Sequence, residues 1–163
     1  MNHARYISGK TQKQSRKLAA YFSIIDSLRM QYKDPSRAMI LRYRHEYTSS
    51  EEYISNSGKI GDVFDGNRYK SLAALGLFSD YRDVALIASA DGYQLFKQKR
   101  DDCWVILLLN ANLPPSHRVK KENLMITAMI PGPKSPKDFN SFLRPLVNEL
   151  KYLEGKFKIS YYC

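Results

Sequence analysis

The apolar run Val84–Ala90 ends in a single acid, Asp91, and Gly92 follows directly. Small and branched residues leading straight into a carboxylate are how a β-strand delivers an acid to a functional end of a sheet. Asp-Gly is also a common turn pair, so a turn or cap aspartate is the competing reading. Other acids stand near this one. Asp80 and Asp83 precede the run, Asp101 and Asp102 lie in a basic connector, and all four read as solvated. Lys97, Lys99 and Arg100 come just past Asp91, where a phosphate approaching the acid would meet them; an ordinary charged hairpin is the bland alternative. Tyr93 and Trp104 have faces that could stack on bases, but core packing is the stronger reading. Three scattered histidines and two cysteines, Cys103 and Cys163, form neither a zinc spacing nor a disulfide framework, which fits a reducing compartment.

The elements that must position Asp91 follow from periodicity. Cys103–Leu109 is apolar at nearly every position, as a strand covered on both faces would be. Leu124–Ile130 is a third strand, closed by Pro131-Gly132-Pro133. Ser135 and Asp138 then resemble a capping box with Pro136 at the first helical position. The helix after it is expected to carry Phe139, Phe142, Leu143, Leu146, Val147 and Leu150 inward, and Pro145 predicts a kink or restart near Leu143. Upstream, apolar residues recur at helical spacing from Ser15 to Lys33, Asp34-Pro35 stops that helix, and a second runs to about Tyr47 with Met39, Ile40 and Tyr43 expected inward. The chain thus divides into a polar basic tail (1–14), a basic helical hairpin (15–47), a connector with a short helix (48–83) and an α+β unit (84–163). Three antiparallel strands and then a helix, with an acid on the first strand, fit the opening of an RNase H-like domain, one of several α+β readings.

Charge narrows the partners. The net charge is +10, and Met1–Arg44 holds ten basic residues against two acids. Such a segment suits a polyanion, because each phosphate neutralised releases condensed counterions. On the second helix Arg37, Arg42 and Arg44 would form an outer basic side; a solvated helix face is the alternative. A membrane is disfavoured: the longest uncharged run, Cys103–Ser116, is too short to span one, and the N-terminus lacks the apolar core of a secretory signal.

An ordered series of motifs identifies a family. Asp91-Gly92-Tyr93, Asn112-Leu113-Pro114-Pro115, Ile130-Pro131-Gly132-Pro133-Lys134 and Phe142-Leu143-Arg144-Pro145-Leu146 stand in line. Upstream come Asp62-Val63-Phe64-Asp65-Gly66 and Phe78-Ser79-Asp80. Together, over roughly Tyr21 to Leu153, they resemble the transposase of CACTA-type DNA transposons, in particular its fungal, Plavaka-like branch. No single piece is diagnostic; the order is.

The resemblance implies an RNase H-like core in which three carboxylates hold two divalent cations, Mg²⁺ or Mn²⁺, for phosphodiester cleavage and strand transfer. Asp91 matches the first of those acids, and DNA, as transposon ends and target duplex, is the implied partner. The family's second acid, in a Gly-Asp-x-Pro-Ala-like segment, and its third have no counterpart here. The chain alone is therefore expected to be a catalytically incompetent fragment. In that fold the first strand is central, pairing with the second strand on one side and a later parallel strand on the other. Loss of the later strand would leave Val84–Ala90 an open edge prone to self-association. A nuclear location follows from the DNA substrate. The alternative is a non-catalytic DNA-binding or interaction protein derived from a transposase.

Overall fold

Ten residues of extended chain, Ala85–Gln94, form strand β2, the fourth of five strands in a mixed sheet. The computed structural model describes residues 18–55, 58, 60–94, 102–132, 136–156 and 160–162. The tail expected over 1–14 lies outside them. The elements preceding β2 are β1 (Ala20–Tyr21), α1 (Ile24–Lys33), α2 (Pro35–Ile40), α3 (Tyr43–Thr48), α4 (Glu51–Ile54), a 3₁₀ turn at Val63–Asp65 and α5 (Asn67–Ala74). After it come β3 (Asp102–Asn110), α6 (Pro115–Arg118), β4 (Leu124–Pro131), α7 (Phe139–Lys156) and β5 (Ser160–Tyr162). The strand order is β1-β4-β3-β2-β5. Each neighbouring pair among the first four of these strands is antiparallel, whereas β5 runs parallel to β2.

This corrects in part the expectation of an open edge along Val84–Ala90, since Ala88–Ala90 have no partner on the β5 side among the described residues. Ala85–Ile87 pair with Ser160–Tyr162, so β2 is covered on both sides at its start. It also adds two strands to the three expected. Both were too short to show a period: β1 has two residues and β5 three.

The helical hairpin expected over 15–47 is corrected as well. Residues 15–17 lie outside the described chain, Ala20 and Tyr21 pair with Met129 and Ala128, and α1 begins only at Ile24. Its cap is Ser23, whose hydroxyl accepts from the Asp26 N–H. Asp34 does end α1 and start α2, its side chain accepting from the Ser36 N–H at 2.9 Å with Pro35 in the first turn. The second helix then breaks at Leu41–Arg42 into α2 and α3.

Two apolar clusters hold the fold. On one sheet face Leu86, Ile106, Leu108, Ala128 and Ile130 pack against Ile24 and Leu28 of α1 and Leu146, Leu150 and Leu153 of α7. Each such side chain contributes roughly 1.5–3 kcal/mol on full burial. No residue from Cys103 to Leu109 is exposed, as its unbroken apolar run requires. The second cluster gathers Phe64, Tyr69, Phe78, Ala85 and Ala111, with Tyr43, Tyr47 and Tyr53 against it. The stretch after α3 thus contributes Tyr53, Phe64, Tyr69 and Phe78 to a packed aromatic unit, with α5 as its short helix. Helix α7 runs unbroken through Pro145. Its start is set by Asp138, whose carboxylate accepts from the Ser141 N–H at 3.2 Å and from the Ser141 hydroxyl. Asp138 thus stands at the cap itself, ahead of Phe139, and Ser135 lies outside the described residues.

Candidate functional site

Asp91 sits within β2 rather than at its end, opposite Val105 of β3. Leu86 enters the cluster under α1 and α7, whereas Ala85 and Ile87 enter the aromatic one. With a side-chain period of two, Asp91 shares the face of Ala85 and Ile87, away from both helices. Its side chain is exposed. Gly92 faces the other way, against Trp104: a Cβ there would stand 3.6 Å from the indole, an ordinary contact. Trp104 in turn meets Phe139 of α7 edge-on at 6.2 Å. Trp104 is therefore a core residue, as its sequence context suggested. The side chain of Tyr93, together with Lys97, Lys99, Arg100 and Asp101, lies outside the described residues.

The donor set around Asp91 decides what it can do. Among the described residues no three His, Cys, Asp or Glu side chains come together in a metal-binding group. A pair of hard cations needs several oxygen ligands, and one exposed carboxylate supplies a weak contact at most. The described residues alone do not fit a two-metal centre.

The basic side expected from Arg37, Arg42 and Arg44 is not one surface. Arg44 is 1% exposed and its donors are used inside the protein. Nε donates to the Asp83 carbonyl at 3.1 Å, Nη1 to the Phe78 carbonyl at 3.1 Å and the Tyr69 hydroxyl at 3.3 Å, and Nη2 to the Asp80 carbonyl at 2.6 Å. It clamps the loop that leads into β2, so its expected role as a phosphate contact is corrected. Arg37 borders a groove between α1 and β4, whereas Arg42 borders another between α1, α2 and α7. Asp83, expected in solvent, is buried as well; its carboxylate accepts from the Asp80 N–H. Asp80 remains at the surface, where hydrogen bonding to Arg82 holds its carboxyl far below the ordinary range.

Several residues that fix the site's surroundings carried no functional signal. Asp62 and Arg118 form a buried bidentate pair at 2.9 and 3.0 Å, and Tyr43 donates to the same carboxylate at 2.7 Å. Arg118 also donates to the Leu113 and Ala111 carbonyls, tying the helical unit to the turn after β3. Asn112 donates to the Asp83 carbonyl and accepts from the Ala85 N–H, fixing the start of β2. Asn110 donates to Gln31 of α1, which donates to the Asn123 carbonyl. Glu149 of α7 accepts from the Tyr21 and Ser23 hydroxyls and the Ile24 N–H, all within 2.8 Å. The signal that could have found them is a polar residue set inside an apolar stretch: Asn110 at the end of β3 and Asn112 just past it, Glu149 between Leu146 and Leu150.

Residues 58–157 match the family model described as Transposase family tnp2, well over half of the chain. No curated protein and no solved structure matches it. No described helix is long and apolar enough to cross a membrane.

Proposed function

The chain belongs to the tnp2 transposase family, and from that premise we propose that it is a transposase-derived, DNA-binding protein of CACTA type, in the Plavaka-like branch, built on an RNase H-like core. The observation that carries this reading is the setting of Asp91. It lies exposed on a strand with antiparallel β3 on one side and parallel β5 on the other. In this reading Asp91 is one metal-binding acid of a phosphodiester-cleaving site that needs further carboxylates for its Mg²⁺ or Mn²⁺ pair. With the donor set described above, the chain by itself is inactive in cleavage. A bound cation pair would activate water and stabilise the leaving oxygen. The chain's own contribution is to hold the Asp91 carboxylate on a rigid strand, with its face turned from α1 and α7.

DNA phosphates are met by the basic N-terminal segment and Arg37, and by Lys97, Lys99 and Arg100, which follow Asp91 in the sequence. The reading implies a nuclear protein. It also leaves Ala88–Gln94 of β2 without a partner on the β5 side among the described residues, and self-association would use that stretch. The absence of a metal-binding group among the described residues favours one second reading, a non-catalytic DNA-binding protein that keeps the fold.

Duplex DNA affinity measured against salt tests the binding claim. Several phosphate contacts give a log–log slope of about −0.9 for each. A flat slope overturns the assignment of the basic segment to DNA. Asp91→Asn leaves that slope unchanged in both readings, whereas a complete assembly that cleaves DNA loses cleavage with Asp91→Asn only in the first.

A further inference from the structure

A groove of about 880 Å³ opens between α1, α2, the C-terminal part of α7 and the approach to β2. Its floor is aliphatic: Leu28, Leu41 and Leu153 are buried there, with Ile25 and Val84 half-buried beside them. Its lips carry large apolar side chains in solvent, Met39 63%, Tyr81 52% and Tyr152 55% exposed. Arg29, Arg42 and Arg82 stand at the same lining, which contains no acid. Arg42 makes no side-chain hydrogen bond or ion pair to another described residue. Arg29 is paired with Asp26, but both side chains are largely exposed and such a pair is weak and exchangeable. Arg82 is held by Asp80 through two hydrogen bonds, so Arg42 and Arg29 are the cations open to a partner.

We propose that this groove docks a partner protein through an amphipathic helix, apolar on the face that enters and acidic on its flanks. The aliphatic floor suits leucine-type anchors in the helix-in-groove mode. The arginine lining selects carboxylates at the flanks, giving register and a faster encounter. A second copy of this chain is a poor occupant, since it would bring a net charge of +10 to an arginine-lined rim. A nucleic acid is disfavoured by the floor, because bases stack on aromatic faces and here those faces stand at the lips. The groove also opens at Val84, the far end of β2 from Asp91. Seven residues at roughly 3.3 Å each separate the two by about 23 Å. The groove is thus remote from the acid's end of the strand, and the proposal does not depend on how Asp91 is used.

The test uses the full chain and a fluorescent synthetic peptide of roughly 18 residues, long enough to be helical alone, with leucines on one face and glutamates on the other. A counterpart with lysines for the glutamates and an oligothymidine strand serve as competing probes. The glutamate peptide is expected to bind, with affinity falling as salt rises and at least about tenfold weaker in Met39→Glu and in Arg42→Glu. Both side chains are exposed, so both variants should melt like the parent; Tyr152→Glu replaces either that does not. No binding of the glutamate peptide overturns the proposal, as does equal binding of the lysine peptide or affinity indifferent to both substitutions. Oligothymidine binding that these substitutions abolish would reassign the groove to single-stranded DNA. A concentration-dependent dimer lost in Met39→Glu would reassign it to self-association.

Discussion

Replacing Arg118 with Met probes the joint between the helical unit and the sheet. The guanidinium donates twice to Asp62 and once each to the Leu113 and Ala111 carbonyls, and it lies 5.7 Å from the centre of the Phe64 ring. The Asp62 side chain is 0% exposed, so Arg118→Met strands a charge in the interior. Removing one partner of such a pair costs about 3–5 kcal/mol. Asp62 keeps two donors, the Tyr43 hydroxyl at 2.7 Å and the Val63 N–H at 2.5 Å, which argues for the lower part of that range. A loss of about 3 kcal/mol corresponds to roughly 6–12 °C in melting temperature for a chain of this size. Urea denaturation followed by circular dichroism measures it, with an unchanged m-value showing that the unfolded reference has not moved. Adding Asp62→Asn should recover part of the loss, because the neutral amide no longer strands a charge; the cycle then gives a coupling of about 1 kcal/mol or more. Arg118→Met within about 1 kcal/mol of the parent, or strict additivity in the cycle, would refute the clamp.

Three further outcomes follow from the same geometry. Arg44→Met should cost about 2–4 kcal/mol through stranded carbonyls and yet leave duplex DNA affinity intact; lost affinity at unchanged stability would return Arg44 to the surface. Burial pushes the Asp65 carboxyl up, but the Tyr47 hydroxyl and the Asp62 and Gly61 N–H groups together hold it below its ordinary 3.8. A lowered carboxylate stabilises above its unfolded value and loses that contribution as pH falls through the folded one. Tyr47→Phe should therefore cost about 1 kcal/mol at neutral pH, with the gap to the parent closing below pH about 4; a gap constant with pH contradicts this. Gly92→Ala should be neutral or stabilising by up to about 1 kcal/mol, since its Cβ only touches Trp104. Gly61→Ala should destabilise, because a Cβ there stands 2.7 Å from the Tyr47 hydroxyl that holds Asp65. Comparing the two melts distinguishes them, and equal effects would argue against the contacts.

Continuous patterns were legible in the sequence. β3 and β4 lie within a residue of their expected bounds, because unbroken apolar runs leave few alternatives, and Asp34-Pro35 punctuates the helices as its chemistry dictates. Short elements were not. Tyr21 has helical spacing to Ile25 and Leu28, yet it pairs with Ala128 and donates to Glu149, a partner 128 residues away. Charged residues were the hardest to read. A sequence does not distinguish an arginine that meets solvent from one whose donors find main-chain carbonyls, and Arg44, expected on the outer side of its helix, is of the second kind. Asp62 and Arg118 went unnoticed for the same reason, since their pairing exists only after the aromatic unit has packed. At Asp91 the strand and the acid's exposure were legible. The extension of β2 beyond Asp91 was not, because Asp-Gly reads locally as a turn.

Asp91 as a metal-binding acid is the central claim, and paramagnetic broadening by Mn²⁺ in the isotopically labelled chain tests it most directly, since it detects even weak contacts. The amide signals of Asp91, Gly92 and the cross-strand Val105 should broaden, and Asp91→Asn should remove their broadening while leaving the rest of the spectrum in place. Broadening that avoids these residues, or that persists unchanged in Asp91→Asn, would contradict the claim.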